Sequence, residues 1–180
     1  MRPNITIGVT GSSSIYKTCH LIRILIKKFN IKVIMTRNAT EFITPFYFEV
    51  LTGNPVLTDL YHKQDKSYHP HIAFTNEIQL FCIAPASSNF LGKLVNGIAD
   101  DALTTSAVAV LPSEIPCLIA PAMNSKMYGH PSTQNNLNIL RKWGYKIIEP
   151  TLGNQTCGYY GIGRLSEPED IATQIFDLLI

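Results

Sequence analysis

The segment that determines the fold spans residues 5–29 and reads ITIGVTGSSSIYKTCHLIRILIKKF. Ile5–Thr10 is a compact apolar run that ends at Gly11 and is followed by three serines. Apolar side chains then recur at helical spacing, as in an amphipathic helix with one buried stripe. These positions are Ile15, Cys19, Ile22, Ile26 and Phe29. The segment therefore predicts a buried strand, a tight turn and a helix.

Further short apolar runs predict more buried strands, with helical stretches between them. They are Ile31–Met35, Leu80–Ala84 ended by Pro85, Cys117–Ala120 ended by Pro121, and Tyr145–Ile148. Continuous apolar strands that alternate with helices are typical of a parallel sheet covered on both faces. We predict a single α/β domain over residues 1–180, with a Rossmann-like or flavodoxin-like doubly wound sheet.

Two segments complete the prediction for the chain. Ser166, followed three residues later by Glu169, is a capping-box signature for a final helix whose buried stripe includes Ile171 and Ile175. Asp59–Pro70 is polar and shows little periodicity. We expect this segment to be the least ordered part of the domain.

Composition excludes several classes of protein. Hydrophobic residues make up 46% of the 180 residues and charged residues 16%, which is not the composition of a disordered protein. The formal net charge is +2 without a basic cluster, so we expect no nucleic-acid partner. No apolar stretch reaches the ~20 residues that span a bilayer, and no secretory signal precedes the first strand. We therefore expect a cytoplasmic protein without a membrane partner.

The four cysteines and five histidines predict neither disulfides nor a metal site. No CxxC pair is present, and Cys19, Cys82 and Cys117 lie in apolar runs, as small buried residues do. No two histidines stand at a metal-ligand spacing with a nearby carboxylate. Cys157 differs from the other cysteines because it lies in a glycine-rich polar stretch.

Polar and small side chains follow the strands where a parallel sheet binds its ligands, outside the carboxyl ends of the strands. The segments are 10–14 (TGSSS), 36–38 (TRN), 85–89 (PASSN) and 121–124 (PAMN). They carry hydroxyls and amides and no cluster of carboxylates. This chemistry suits a phosphate and a polar heterocycle better than a metal ion.

Each of these segments also has a structural interpretation. Serines such as Ser12 and Ser13 commonly cap helices, and taken alone the first turn favours that reading. Asn124 is equally compatible with an Asx turn and with a substrate clamp. His71 could act as a general base, although a lone histidine is more often a surface residue. The glycine-rich stretch around Cys157 could be a lid or a mobile loop.

Several motifs in this order resemble the homo-oligomeric flavin-containing cysteine decarboxylases, over about Ile5 to Ile171. The similar segments are Val9–Ser12 with Tyr16-Lys17, Met35-Thr36, Ala39-Thr40 and Phe42–Pro45, His71-Ile72, Pro85–Phe90 with Gly97–Asp101, Pro121–Asn124 with Met127 and Pro131, and Cys157-Gly158 with Gly161–Leu165 and Glu167-Pro168. Residues 121–124 match the family's PAMN motif fully. Phe90 replaces a threonine of the family's PASANT motif, Ser88 replaces an alanine, and Tyr159 replaces an acidic residue.

The resemblance implies an FMN cofactor, a substrate and an assembly. The cofactor-binding residues it implies are Gly11, Ser12, Ser13, Thr36, Asn38, Ser87, Ser88, Asn89, Phe90 and Ala122. It implies His71 as the base, Asn124 as the group that orients the carboxylate, and Cys157 as the proton donor, with Met127 also contacting the substrate. Relatives in the family assemble as trimers or as assemblies of trimers.

The implied reaction is decarboxylation of 4′-phosphopantothenoylcysteine to 4′-phosphopantetheine in coenzyme A biosynthesis, through a thioaldehyde and an enethiol. The presence of Cys157 favours this carboxy-lyase, and we expect the ligase that supplies its substrate to be a separate protein. One alternative is a peptidyl-cysteine decarboxylase of lantibiotic biosynthesis, which releases the enethiol. Another is a non-catalytic FMN-binding regulatory subunit. A flavin prenyltransferase is disfavoured by the intact PAMN motif.

Overall fold

The computed structural model describes residues 2–61 and 69–179 as strands and helices that alternate along the chain. The strands are β1 (Asn4–Val9), β2 (Asn30–Met35), β3 (Val56–Leu57), β4 (Leu80–Ala86), β5 (Cys117–Pro121), β6 (Lys146–Ile147), β7 (Thr151–Asn154) and β8 (Tyr160–Arg164). The helices are α1 (Ile15–Leu25), α2 (Arg37–Thr40), α3 (Pro45–Thr52), α4 (Pro70–Thr75), α5 (Ser88–Val95), α6 (Ala102–Val108), α7 (Ser125–Tyr128), α8 (Pro131–Lys142) and α9 (Pro168–Leu179).

Six strands form a parallel sheet in the order β3-β2-β1-β4-β5-β6, and β7 and β8 form a separate antiparallel hairpin. Because the winding reverses between β1 and β4, a crevice opens outside the carboxyl ends of these two strands. The predicted single α/β domain with a doubly wound parallel sheet is confirmed.

Successive side chains of each strand point to opposite faces of the sheet, so a separate hydrophobic core forms on each face. Ile7 of β1 packs with residues of α1, α3 and α9, whereas Phe81 of β4 packs with residues of α5, α6 and α8. Fully burying one such side chain is worth about 1.5–3 kcal/mol. Gly8 lies under α6, where an added Cβ would stand 2.5 Å from Leu103 Cδ1. The absence of a side chain at residue 8 leaves room for the side-chain ends of Leu103 on α6 and Ile83 on β4.

One predicted strand end is wrong in an informative way. Strand β4 continues through Pro85 to Ala86 instead of ending at Ala84. Proline lacks the N–H that a ladder requires, and the β4–β5 register shifts between Ile83 and Ala86, which accommodates it. The glycine-rich stretch around Cys157, interpreted as a lid or a mobile loop, instead contains a strand, because its second half forms β8 (Tyr160–Arg164), which pairs with β7.

The predicted capping box at Ser166 is wrong as well. Helix α9 begins at Pro168, and the Ser166 hydroxyl donates to the carbonyl of Glu149 at 2.6 Å. Proline at the first position presets the helical φ angle and needs no hydrogen-bond acceptor. The start of this helix is therefore marked by the proline.

Most of the segment predicted to be least ordered, Asp59–Pro70, lies outside the described residues. Within residues 2–61 and 69–179, no helix combines the length and the apolar character needed to cross a bilayer.

Candidate active site

A cavity of about 650 Å³ lies at the carboxyl edge of the sheet, where β1 and β4 diverge. Its walls come from the ends of β1, β2, β4 and β5 and from the β7–β8 hairpin. The predicted site residues that line it are Gly11, Ser12, Ser13, Thr36, Asn38, Ser87, Ser88, Asn89, Phe90, Ala122, Asn124, Met127 and Cys157. The position of the strand ends in a parallel sheet brings these distant segments together.

The first wall is the turn after β1. Gly11 approaches the second strand end so closely that an added Cβ would stand 2.8 Å from Asn38 Cβ and 3.0 Å from its carbonyl oxygen. The Ser12 hydroxyl accepts a hydrogen bond from the Ser14 amide at 3.2 Å, and Ser14, the residue before α1, makes no side-chain cap. The carbonyls of Ser12 and Ser14 accept from the Ile15 and Lys17 amides at 3.2 and 3.0 Å, so these serines support the start of α1 through their backbone.

The second wall is the corner after β4, which is joined to the first by Thr10. The Thr10 hydroxyl donates to the Pro85 carbonyl at 2.8 Å and accepts from the Ser87 amide at 2.8 Å. The Ser87 hydroxyl in turn accepts from the Phe90 amide, so this serine caps α5. Phe90 is 1% exposed and packs in the core, so the residue that replaces a threonine contributes apolar packing.

Two more strand ends close the base of the cavity. Thr36 caps α2 by accepting from the Ala39 amide at 3.3 Å. After β5, the Ala122 amide donates to the Ala86 carbonyl at 3.0 Å, which ties the ends of β4 and β5 together. Thr36 therefore caps a helix and also lines the cavity, so its structural interpretation and its binding-site interpretation are compatible.

Asn124 has a double role at the start of α7. Its Oδ1 accepts from the Lys126 amide at 2.8 Å, which is the predicted Asx-type cap. Its Nδ2 donates to Cys157 Sγ at 3.0 Å. Met127, one turn along α7, is 49% exposed at the cavity wall. The side-chain carbonyl is thus held by the backbone, and the amide nitrogen faces the hairpin.

Cys157 is the exposed cysteine of the chain, whereas Cys19, Cys82 and Cys117 are buried. The pKa of the Cys157 thiol lies below its ordinary value because the Tyr159 backbone N–H and then the Asn124 amide donate to the sulfur. Burial has the opposite effect on Cys82 and Cys117, where it raises the pKa to about 12. A thiolate is therefore easier to form at Cys157 than at those two buried cysteines.

The hairpin that carries Cys157 is held over the cavity by contacts on three sides. Met123 donates its amide to the Gly163 carbonyl at 2.9 Å, and the Ser13 and Thr156 hydroxyls are 3.1 Å apart. Below the hairpin, Lys17 donates to the Leu165 carbonyl at 2.9 Å and pairs with Glu167 at 2.7 Å. These contacts fix the thiol beside the ends of β1 and β5.

The charges around the cavity are mostly positive. Lys17, Arg37, Lys93 and Arg164 line it together with a single acidic residue, Asp101. Lys17 and Arg164 both pair with Glu167, and Lys93 pairs with Asp100 and Asp101. Within residues 2–61 and 69–179, Arg37 is the lining cation that forms no ion pair, so it is available to a phosphate or carboxylate group. Among the described residues, no group of three or more histidine, cysteine, aspartate or glutamate side chains is placed to hold a metal ion.

His71 is not among the residues that line this cavity. It lies on α4, whose later carbonyls are held by the sheet: Thr6 donates to the Phe74 carbonyl and Lys32 to the Ala73 carbonyl, each at 2.6 Å. The His71 ring makes an edge-to-face contact with the His69 ring, and the two ring centroids are 6.2 Å apart. Within one copy of the chain, the predicted base is thus separated from Asn124 and Cys157.

Sequence reasoning missed three residues that organise the site. Thr10 joins the two main walls, Lys17 supports the hairpin and Gln155 accepts a hydrogen bond from the Ser125 amide at 3.0 Å. Thr10 and Lys17 belong to segments that the resemblance singled out, so their position in these motifs was an available signal. Gln155 had no such signal, because one polar residue in a glycine-rich stretch is unremarkable.

The model of the flavoprotein family matches residues 1–180. Among curated proteins, the coenzyme A biosynthesis bifunctional protein CoaBC of Bacillus subtilis is 44% identical over 93% of this chain. This chain covers 41% of that relative, so it spans about two fifths of the bifunctional protein. The probable phosphopantothenoylcysteine decarboxylase of Streptococcus mutans is 40% identical, over 99% of this chain and 100% of the relative.

Solved structures with the same fold include two decarboxylases. A mutant PPC decarboxylase complexed with pantothenoylaminoethenethiol is 26% identical with a TM-score of 0.85, over 98% of this chain and 97% of the other. The FMN-dependent cysteine decarboxylase SpaF is 30% identical with a TM-score of 0.81, over 99% and 98% of the two chains. Similarity therefore extends over the whole fold, the cavity walls and the hairpin included.

Proposed function

We infer the function from one premise: this chain belongs to the flavoprotein family. We propose that it binds FMN in the cavity and decarboxylates the cysteine carboxylate of 4′-phosphopantothenoylcysteine, yielding 4′-phosphopantetheine for coenzyme A biosynthesis. The Streptococcus mutans relative, which this chain covers completely, carries the name of that activity. The site observation that carries the proposal is the contact between Asn124 and Cys157 at the cavity wall.

The residues present fit FMN. The cavity lies at the switch point of the sheet, where doubly wound folds bind such cofactors, and its volume is that of a cofactor site. The turn at Gly11, Ser12 and Ser13 places hydroxyls beside the start of α1, where the positive end of the helix dipole suits a phosphate. The remaining residues proposed to hold the flavin are Thr36, Asn38, Ser87, Ser88, Asn89, Phe90 and Ala122.

A cysteine carboxylate does not leave readily as CO₂, because the carbanion left behind has no electron sink. When bound, FMN supplies a two-electron acceptor that allows the thiol carbon to be oxidised, and it supplies the same electrons for the final reduction. Substrate and product then differ only by CO₂, without net oxidation. Each remaining task falls to a side chain of the protein.

Asn124 is proposed to orient the substrate carboxylate. Its Oδ1 is occupied by the Lys126 amide, and its Nδ2 uses one hydrogen for Cys157 Sγ. The second hydrogen of Nδ2 remains to be donated to an anion. Met127 forms apolar wall beside it. Cys157 is proposed to protonate carbon in the last step, which distinguishes a saturated thiol product from an enethiol.

His71 is proposed as the base that assists thiol oxidation, acting in the cavity of a neighbouring copy. The proposed assembly is a homotrimer, or a set of trimers, in the cytoplasm. Exposed aromatic residues support such an assembly: Tyr16, at the cavity wall, is 66% exposed, and Phe42 and Phe46 are 58% and 70% exposed. Apolar surface of this kind is typical of surfaces that pack against another subunit.

A peptidyl-cysteine decarboxylase remains the second candidate, because the FMN-dependent cysteine decarboxylase SpaF is 30% identical and its name does not restrict the substrate to the pantothenoyl compound. The two functions differ in product. A saturated thiol formed from 4′-phosphopantothenoylcysteine favours the first, whereas an enethiol formed from a peptide carboxyl-terminal cysteine favours the second. A non-catalytic FMN-binding subunit would form neither product.

The first test of the proposal is cofactor binding followed by CO₂ release. Purified protein is expected to be yellow or to take up FMN, and then to release CO₂ from 4′-phosphopantothenoylcysteine. Protein that binds FMN but releases no CO₂ from either substrate would support the regulatory-subunit alternative. Protein that cannot take up FMN would contradict the proposal.

The Gly11→Ala variant is expected to bind FMN roughly tenfold more weakly or worse, since overpacking costs about 1–3 kcal/mol. The new Cβ would stand 2.8 Å from Asn38 Cβ and would separate the two turns that line the cavity. Titration of the apoprotein with FMN, followed by flavin fluorescence, measures the effect. Gly92→Ala is the matched control, because its added Cβ would meet Asn136 Nδ2 at an ordinary 3.6 Å. Wild-type affinity in Gly11→Ala would refute this role of the turn.

A further inference from the structure

Gln155 stands at the base of the turn that presents Cys157. Its backbone amide donates to the Tyr159 carbonyl at 2.8 Å, and its carbonyl accepts from the Gly158 amide at 2.9 Å. The turn that carries the thiol is therefore closed on both sides by the backbone of this one residue. No role for its side chain follows from the proposed function alone.

The orientation of the Gln155 side chain is settled by its partners. The Ser125 amide donates to it at 3.0 Å, and only the side-chain oxygen, Oε1, can accept that bond. The same Oε1 lies 3.7 Å from Cys157 Sγ, within reach of the thiol hydrogen. The amide nitrogen, Nε2, is buried and has no hydrogen-bond partner among the described residues. Because an unpaired buried N–H is costly, an apolar side chain would be favoured here unless the oxygen were needed.

We propose that Gln155 is a positioning residue for Cys157. Its side-chain oxygen accepts a hydrogen bond from the Cys157 thiol and another from the Ser125 amide, so it fixes the sulfur beside the start of α7 and Asn124. This inference rests on the proposed function for its catalytic meaning. The contacts on which it stands are independent of that function. Through Ser125 and Cys157, one oxygen couples the helix that presents the carboxylate-binding amide to the turn that presents the thiol.

The sulfur thus lies between two donors and one acceptor. Asn124 Nδ2 at 3.0 Å and the Tyr159 N–H favour the thiolate, whereas Gln155 Oε1 favours the protonated thiol. The titratable groups on the surrounding elements are Tyr16, Lys17, Cys19, His20 and Arg23 on α1, Lys126 and Tyr128 on α7, Tyr159, Tyr160 and Arg164 in the hairpin, and Glu167 before α9. The depressed pKa of Cys157 arises from hydrogen bonds, with no contribution from these charges.

Two substitutions of Gln155 are expected to change thiol reactivity in opposite directions. Gln155→Met removes the acceptor, so the thiolate is favoured and alkylation of Cys157 by iodoacetamide at neutral pH becomes several-fold faster. Gln155→Glu keeps an acceptor and adds a negative charge, so alkylation slows by roughly tenfold. The pH profile of alkylation in the FMN-loaded protein is the measurement, and Cys157→Ser gives the background from the buried cysteines.

The opposite signs separate positioning from a general structural effect. Loosening of the hairpin would move both variants the same way, and that result, or an unchanged profile in both, would overturn the proposal. Gln79→Glu, an exposed position before β4, is the matched control and is expected to leave the profile unchanged. Catalysis adds a second readout: Gln155→Met is expected to raise the ratio of enethiol to saturated thiol roughly tenfold while CO₂ release continues. Wild-type protein that releases no CO₂ would reject the proposed function and leave the alkylation result standing.

Discussion

The His71→Asn variant is expected to bind FMN normally and to release CO₂ from 4′-phosphopantothenoylcysteine about 10²- to 10⁴-fold more slowly, the range that a general base contributes. Asparagine keeps a polar side chain of similar size but cannot take up a proton near neutral pH. The α4 helix that carries residue 71 is held by Thr6 and Lys32 through backbone carbonyls, so the substitution leaves its anchors intact. Single-turnover CO₂ release, with FMN affinity measured beside it, gives the comparison.

The control for this variant is His20→Asn, at a histidine on α1 whose side chain is 59% exposed. Full activity in His71→Asn would show that the base assignment is wrong. The position of His71 outside its own cavity adds a second expectation. Chains carrying His71→Asn and chains carrying Cys157→Ser, when co-assembled, are expected to regain saturated product, because one copy supplies the imidazole and the other the thiol. No recovery in verified mixed assemblies would argue that both groups act within one copy.

The Cys157→Ser variant is expected to keep releasing CO₂ but to accumulate the unsaturated enethiol, with the saturated thiol reduced at least 100-fold. A serine hydroxyl is a far weaker acid than the thiol, whose pKa is already lowered by the Tyr159 N–H and the Asn124 amide. In the proposed reaction, oxidation and decarboxylation precede the proton donation and do not require this group. Mass analysis of the products over time distinguishes the two thiols.

The reaction of the wild-type protein is the reference for this experiment. The variant must bind FMN as tightly as the wild-type protein does. Saturated thiol formed at the normal rate would remove the proton-donor role from Cys157. Loss of CO₂ release together with the saturated thiol would assign the cysteine to an earlier step instead.

Much of the fold could be predicted because burial leaves a strong pattern in parallel strands. Ile5–Thr10 is buried throughout and Ile31–Met35 is buried except at Lys32, so both read as largely apolar runs. Helix starts carried a second signal, proline, at Pro45, Pro70, Pro131 and Pro168. At the last of these, the proline marks the helix start better than the Ser166 capping pattern does.

The hairpin was harder to predict, because β7 and β8 contain Gly153, Gly161 and Gly163. Glycine weakens strand propensity, so the stretch reads as a loop. Its strands form because glycines allow close packing: an added Cβ at Gly161 would meet Ser125 Cβ at 2.6 Å. Such a reason is tertiary and leaves no local signal in the sequence.

The cavity walls followed from topology, since four strand ends of one parallel sheet must meet at one edge. The placement of His71 did not follow, because a position on a short helix says nothing about which cavity the side chain reaches. Gln155 was missed for a similar reason. Its role depends on the distance of one oxygen from Ser125 and Cys157, which only the folded hairpin determines.

The most direct test of the proposed decarboxylation is to incubate the FMN-loaded protein with 4′-phosphopantothenoylcysteine and to measure the mass of the product by mass spectrometry. The account predicts a product lighter by one CO₂ and still saturated, which is 4′-phosphopantetheine. Substrate recovered unchanged by protein that holds FMN, or an enethiol two hydrogens lighter as the final product, would contradict it.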